Sequence, residues 1–458
     1  MSLSSDVIVI GGGFAGLSAA CALAGAGARV TVLEERPALG GRATAFTDPQ
    51  TGERVDNGQH ILVGAYHETF RFLRRIGTDG QVRVQRQLAV DVIDQAGRRS
   101  RLVCPPLPSP LHLVAGVFDW EALRWRDRLS VLRLREPLAV ARARLLGKSD
   151  RLAASPGETV RQWLERNGQT PRLVELLWAP LAVAALNQPI ERAAAEPFTR
   201  VLALMFGADT RDAAIALPMK PLDELYVEPS RAYLEERGGT IVTQAQARVV
   251  IDGDKLSHVE AQGKTLHAGR VICAAPWYAW PEIFQSRGQG PSALSPVLDA
   301  AAKTPASPIV TVNLWFDRVV LDVPFVGLPG RVNQWVFDKR EAFGERASHL
   351  CTVSSGAESV AARSNQELID LALAEIRDAI PAAERADLRN ATVVKERRST
   401  FSLAPGMPPR PGTRTPIEGL LLAGDWIDTG LPATIESAVI SGHWAARAAM
   451  NSDSDSDS

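Results

Sequence analysis

The chain has only four cysteines, Cys21, Cys104, Cys273 and Cys351, and no two of them form a Cys-x-x-Cys pair. That spacing excludes a zinc ribbon or a disulfide framework and points to a reducing compartment. Charge of one sign is also missing. The 51 Lys and Arg against 52 Asp and Glu leave a formal net charge of -1, which gives no reason to expect nucleic acid as a partner. No apolar run reaches the roughly 18 uninterrupted residues that would cross a bilayer, and the first apolar stretch lacks the basic flank of a signal peptide. A cytoplasmic location is therefore expected. Internal repeats are absent, and so are metal-ligand spacings and any Ser/His/Asp or Cys/His order that would suggest hydrolytic or thiol chemistry. What is present is an ordinary globular composition, 45% hydrophobic over 458 residues, enough for a large core and too long for one simple domain.

Chemistry is first visible at the N-terminus. "DVIVIGGGFAGLSAACALAGAGARVTVLEE" reads as a β-branched strand, Gly11-x-Gly13-x-x-Gly16, an Ala/Leu helix, a Gly-rich stop and a second strand ending at Glu34. Each glycine has a physical task in a dinucleotide site. Gly11 permits the tight turn, Gly13 lets backbone approach a pyrophosphate, and Gly16 lets helix and strand pack closely. The helix N-terminus presents free N–H groups to the phosphates. Glu34 stands where a carboxylate accepts hydrogen bonds from ribose hydroxyls.

Just downstream, "EERPALGGRATAF" places Gly40, Gly41 and Arg42 after the acidic strand end. This extension resembles that of the flavoproteins that include amine oxidases and phytoene desaturases. The resemblance implies FAD rather than NAD, with Gly41 and Arg42 at its pyrophosphate. A second grip is expected from the C-terminal "LLLAGDWIDTGLPATIESAVISG", an apolar strand, a Gly424-Asp425 turn and a helix beginning near Pro432 to Thr434. By the same resemblance Asp425 serves the ribityl and pyrophosphate region, and the positive helix end near Thr434 faces the flavin. Between these ends, "PSRAYLEERGGTIVTQAQARVVIDGDKLSHVEAQGKTLHAGRVICAAPWY" alternates helix, Gly-Gly stop and β segments. It looks like the family's middle contribution to the FAD domain, in which Val249 would touch the adenine.

The expected fold is thus α/β: a Rossmann-like FAD-binding domain with an inserted α+β substrate domain. The FAD-binding part is expected from 1–85, 230–280 and 408–450, the substrate domain from 86–229 and 281–407, and a disordered Ser/Asp tail over 451–458. The inserted stretches Leu111–Leu145 and Ser155–Phe206 read as helical and rich in Leu, Ala, Trp and Arg. An Arg-rich amphipathic helix of this kind either packs on its own domain or lies on an anionic membrane surface, where Trp120 and Trp125 would sit at the interface.

"DNGQHILVGAY", "WAPLAVAALNQPIERAAAEPF", "LPMKPLDELYVEP", "KERRSTF" and "AGDWIDTGLPATIESAV" together resemble the bacterial squalene-associated FAD-dependent desaturases, the hydroxysqualene dehydroxylases of hopanoid biosynthesis. The resemblance spans nearly the whole chain except the tail; Ser399 stands where Ala is expected in most relatives. It implies a hydrophobic isoprenoid substrate, hydroxysqualene, reduced to squalene by reduced flavin, with an external reductant or reductase and transient contact with the inner membrane surface. Such chemistry needs a donor for the leaving hydroxyl and an electron-rich wall for an allylic cation. Gln59 and His60 follow the Gly-Gly-Arg segment at a place expected to run beside the flavin, and are the candidates for catalysis. Two readings stay open beside it: an oxidative polyisoprenoid desaturase or amine oxidase, and an FAD-stabilised carrier of isoprenoids without turnover.

Overall fold

The computed structural model describes residues 4–207, 209–284, 292–344 and 348–451, with the side chains of residues 341 and 342 excepted; the Ser/Asp run beyond Asn451 lies outside the described residues. Four strands drawn from distant parts of the chain join Ser4–Ile10 in one parallel layer, in the order Thr240–Val242, Val30–Leu33, Ser4–Ile10, Lys264–Cys273, Leu420–Leu422. Short β-branched runs buried on both faces suit this central position. All four residues of Val30–Leu33 and all three of Leu420–Leu422 are buried. The first half of Lys264–Cys273 continues outward as an antiparallel meander with Lys255–Ala261 and Ala247–Asp252.

Two helices cover this layer and draw the chain ends together. Phe14–Gly25 buries ten of its twelve residues, and Ile435–Met450 packs along it. The crossing is close because Gly442 faces the first helix without a side chain. A Cβ there would stand 2.3 Å from both the Ala15 carbonyl and Ser18 Oγ. Glu436, in the first turn of the last helix, accepts hydrogen bonds from the Glu68 and Thr69 N–H groups and so caps the helix His67–Arg75.

A second, mainly antiparallel sheet has the order Leu388–Phe401, Ala306–Phe316, Ser348–Ser355, Trp335–Asp338, Phe325–Gly327, Ala89–Ile93, Arg99–Val103. Among the described residues its one parallel pair joins Phe325–Gly327 to Ala89–Ile93. A helical layer from Leu111 to Met205 packs against it, and "LNQP" is the joint. Asn187, in the left-handed region at φ 50°, donates to the Ser307 carbonyl and to Thr400 Oγ1, while Gln188 accepts from the Leu403 N–H.

The Arg-rich stretch is not one helix. It divides into Leu111–Asp119, Trp125–Ser130, a tight turn at Val131–Leu134, and Arg135–Leu145. Trp120 ends the first of these with extended backbone, is 1% exposed, and donates its indole N–H to Ser100 Oγ at 3.1 Å. The expectation that it sits at an interface is therefore corrected: the helix break turns its ring into the core. Trp125 lies on the other side of that break and is 67% exposed. No described helix is long and apolar enough to cross a membrane.

Candidate active site

A cavity of about 1340 Å³ runs from the carboxyl ends of the parallel strands to the face of the second sheet. The turn after the first strand forms one end. Gly11 adopts φ +104°, and Gly16 packs so closely that a Cβ would fall 1.8 Å from the Gly11 carbonyl oxygen. Gly16 therefore shapes the turn from behind and does not line the cavity, whereas Gly11 and Gly13 do. Gly13 and Gly41 face each other as bare backbone, and a Cβ on Gly41 would approach the Gly13 Cα to 3.3 Å. The helix starting at Phe14 has no side-chain cap, so its first N–H groups stay available to an anion. Glu34 lies beside them, accepting from the Gly12 N–H at 2.7 Å and the Arg36 N–H at 2.9 Å. An uncapped helix end between two glycine backbones, with a carboxylate at its flank, fits the pyrophosphate and ribose of a dinucleotide.

The second grip meets the first across the cavity. Arg42 pairs with Asp425 and donates to the Ser399 carbonyl at 2.9 Å. Burial works against the Arg42 charge, but the Asp425 carboxylate outweighs it and raises the guanidinium's pKa above its ordinary value. Because Ser399 contributes its carbonyl, its side chain is not what Arg42 reads. Gly424, at φ +132°, allows the turn, and Thr434 caps the last helix by accepting from the Ser437 N–H. Gly41, Arg42, Gly424, Asp425 and Thr434 all line the same cavity. The Gly-Gly-Arg segment is fixed from behind by Tyr226, whose hydroxyl lies 2.7 Å from the Gly40 carbonyl and whose ring stacks on Phe14 at 3.7 Å.

Val249 is placed otherwise than expected. It is 1% exposed within the apolar core, and Ala247 and Arg248, two residues and one residue earlier on its strand, line the cavity instead. The strand enters at the cavity mouth and carries its later apolar residue into the interior.

At the far end the lining turns apolar, with Ile309, Trp335, Phe337 and Val353 from the second sheet. Gln59 and His60 form its polar edge. Burial lowers the pKa of His60 below the usual histidine range, and the nearby Lys339 charge does so too, against the opposing influence of Asp56 and the Gly58 backbone. Its Nδ1 is buried with no hydrogen-bond partner among the described residues. Lys339, Trp335 and Phe337 carried no local sequence signal. Glu396 and Arg398 also line the cavity; they lie in "KERRSTF", a motif visible in the sequence but not assigned to the site.

The profile described as flavin containing amine oxidoreductase matches residues 14–450. The chain belongs to that family. This flavoenzyme is an FAD-dependent oxidoreductase with a Rossmann-like FAD-binding part and a separate substrate part. It is 32% identical to a hydroxysqualene dehydroxylase of Rhodopseudomonas palustris over 97% of this chain and 98% of that protein. It is also 26% identical to a 15-cis-phytoene desaturase of Solanum lycopersicum over 97% of this chain and 77% of that one. In fold it matches an oxidoreductase from Methanosarcina mazei, with TM-score 0.75 and 17% identity over 97% of this chain and all of the other. Among the described residues no cluster of His, Cys, Asp or Glu could hold a metal ion.

Proposed function

We propose that this flavoenzyme reduces hydroxysqualene to squalene, replacing the hydroxyl of an allylic alcohol by hydrogen and releasing water. One observation carries the reading: the cavity is continuous from a dinucleotide grip to a chamber walled by Ile309, Trp335, Phe337 and Val353, with Gln59 and His60 at its edge. Reduced FAD, when bound, would supply both the hydride and, counted as FADH2, the proton that turns the leaving hydroxyl into water, so that alcohol and FADH2 give hydrocarbon, water and FAD. The residues named for it are Gly11, Gly13, Glu34, Gly41, Arg42, Asp425 and Thr434, with Arg248 in place of Val249 near the adenine end.

The chain's own work lies at the apolar end. An uncharged His60 holds the substrate hydroxyl by a hydrogen bond instead of storing a proton for it. Trp335 and Phe337 offer ring faces to an allylic cation, each worth about 0.5–2 kcal/mol. The apolar walls exclude water, which would otherwise return the cation to the alcohol. One GxGxxG unit serves the whole chain, so an external reductant or a reductase must renew the reduced state between turnovers. Anaerobic mixing tests the direction. Oxidised holoenzyme should keep its colour with squalene or with amines, whereas bleaching by either would favour the desaturase or amine oxidase reading.

A substrate this apolar is best drawn from a bilayer, and the exposed face near Trp125 suits transient contact with its cytoplasmic surface. Trp125, Leu129 and Leu132 are 67%, 52% and 46% exposed, beside the exposed Arg124, Arg126 and Arg133. Such a face joins apolar insertion to attraction for anionic headgroups. The protein should sediment with anionic liposomes, less so at high salt, and Trp125→Ser with Leu129→Ser should lower the bound fraction several-fold. Equal recovery in the supernatant with and without liposomes would contradict this.

A further inference from the structure

Behind the His60 edge lies a charge pair that the cofactor site does not use. Lys339, in the short helix Lys339–Phe343, is 2% exposed, and its ammonium stands 3.3 Å from Asp56 Oδ2 and 2.7 Å from Gln59 Oε1. Asp56 is 4% exposed and accepts from the Leu222 N–H at 3.0 Å through its other oxygen. Gln59 in turn donates to the His60 carbonyl at 3.3 Å. Burying an ammonium is costly unless it is paired and hydrogen-bonded, and a methionine of similar volume would fill the space without a charge. The pair is also long-range: 283 residues separate its members, one on a strand and the other on a short helix. Among the described residues the charged groups that act on His60 are these two, Asp56 from the strand Arg54–Asp56 and Lys339 from its short helix.

We propose that Lys339 is a positioning residue: it neutralises Asp56 and holds Gln59, so that the His60 ring at the cavity edge is not drawn into a charge pair with that carboxylate. Without Lys339, the carboxylate of Asp56 would be the one charge near the imidazole. The ring would then take up a proton more readily and be drawn toward Asp56. This rests on reading the apolar chamber as the substrate end, but its test observes the imidazole itself and needs no turnover.

The experiment is an NMR titration of the holoenzyme labelled at its histidine rings, with the His60 signal assigned by His60→Asn. Lys339→Met should raise the His60 pKa, and Asp56→Asn, which leaves the ammonium alone, should lower it. The double variant carries neither charge and should return His60 close to its wild-type titration. A merely structural staple would not give shifts of opposite sign. If one single variant fails to fold, the other still has a required direction relative to the double. Unchanged titration in the single variants, or shifts of the same sign, would overturn the proposal. Substrate turnover measured in parallel separates the two readings, since loss of the dehydroxylase assignment leaves these shifts in place.

Discussion

Gly16→Ala should purify without flavin. The added methyl would fall 1.8 Å from the Gly11 carbonyl oxygen and 3.0 Å from its carbon, and neither atom belongs to a flexible side chain that could swing away. Helix and strand must separate, and the turn that carries Gly11 and Gly13 moves with them. Overpacking of a tight contact costs typically about 1–3 kcal/mol. Here the displaced atoms are also those that face the cofactor, so stability and FAD retention should fall together. Flavin per chain after gel filtration, with a thermal melt of the same sample, measures both. Stoichiometric flavin and an unchanged melting temperature would show that the turn does not depend on this contact.

Asp425→Ala should weaken FAD binding by about one to two decades, equivalent to the roughly 1–3 kcal/mol of leaving hydrogen-bonding partners unmade. Two losses combine at this position. On the proposed reading the ribityl region loses a carboxylate, and the Arg42 side chain, 22% exposed, keeps only the Ser399 carbonyl among its described hydrogen bonds. Asp425→Asn keeps an acceptor while removing the charge, so its loss should be smaller. Titration calorimetry with FAD reads the series, and equal affinity in all three proteins would reduce Asp425 to a turn residue.

The first grip was legible because it is local. Strand, turn, helix and carboxylate lie within one stretch from Val7 to Glu34, and the tightest contact, of Gly16 on the Gly11 carbonyl, is made inside it. Asp425 was legible for the same reason, as a Gly-Asp turn between an apolar strand and a capped helix. Trp120 and Trp125 show the limit of such patterns. Both lie in one Arg-rich stretch, but the chain extends at Trp120, with ψ 112°, and the helical face restarts beyond it. Val249 shows another limit: composition marks the strand but not the point at which it leaves the cavity. Lys339 was out of reach altogether. Its partner Asp56 is 283 residues away, and nothing in the residues around it distinguishes it from a solvated lysine before a short helix.

The most direct measurement is an anaerobic single turnover of FAD-loaded protein, chemically reduced and mixed with hydroxysqualene, with the product identified by mass. Squalene should form in step with the return of the oxidised flavin colour, up to one equivalent per flavin, and none should form with oxidised protein. Unreacted hydroxysqualene beside a flavin that stays reduced would contradict the dehydroxylase assignment.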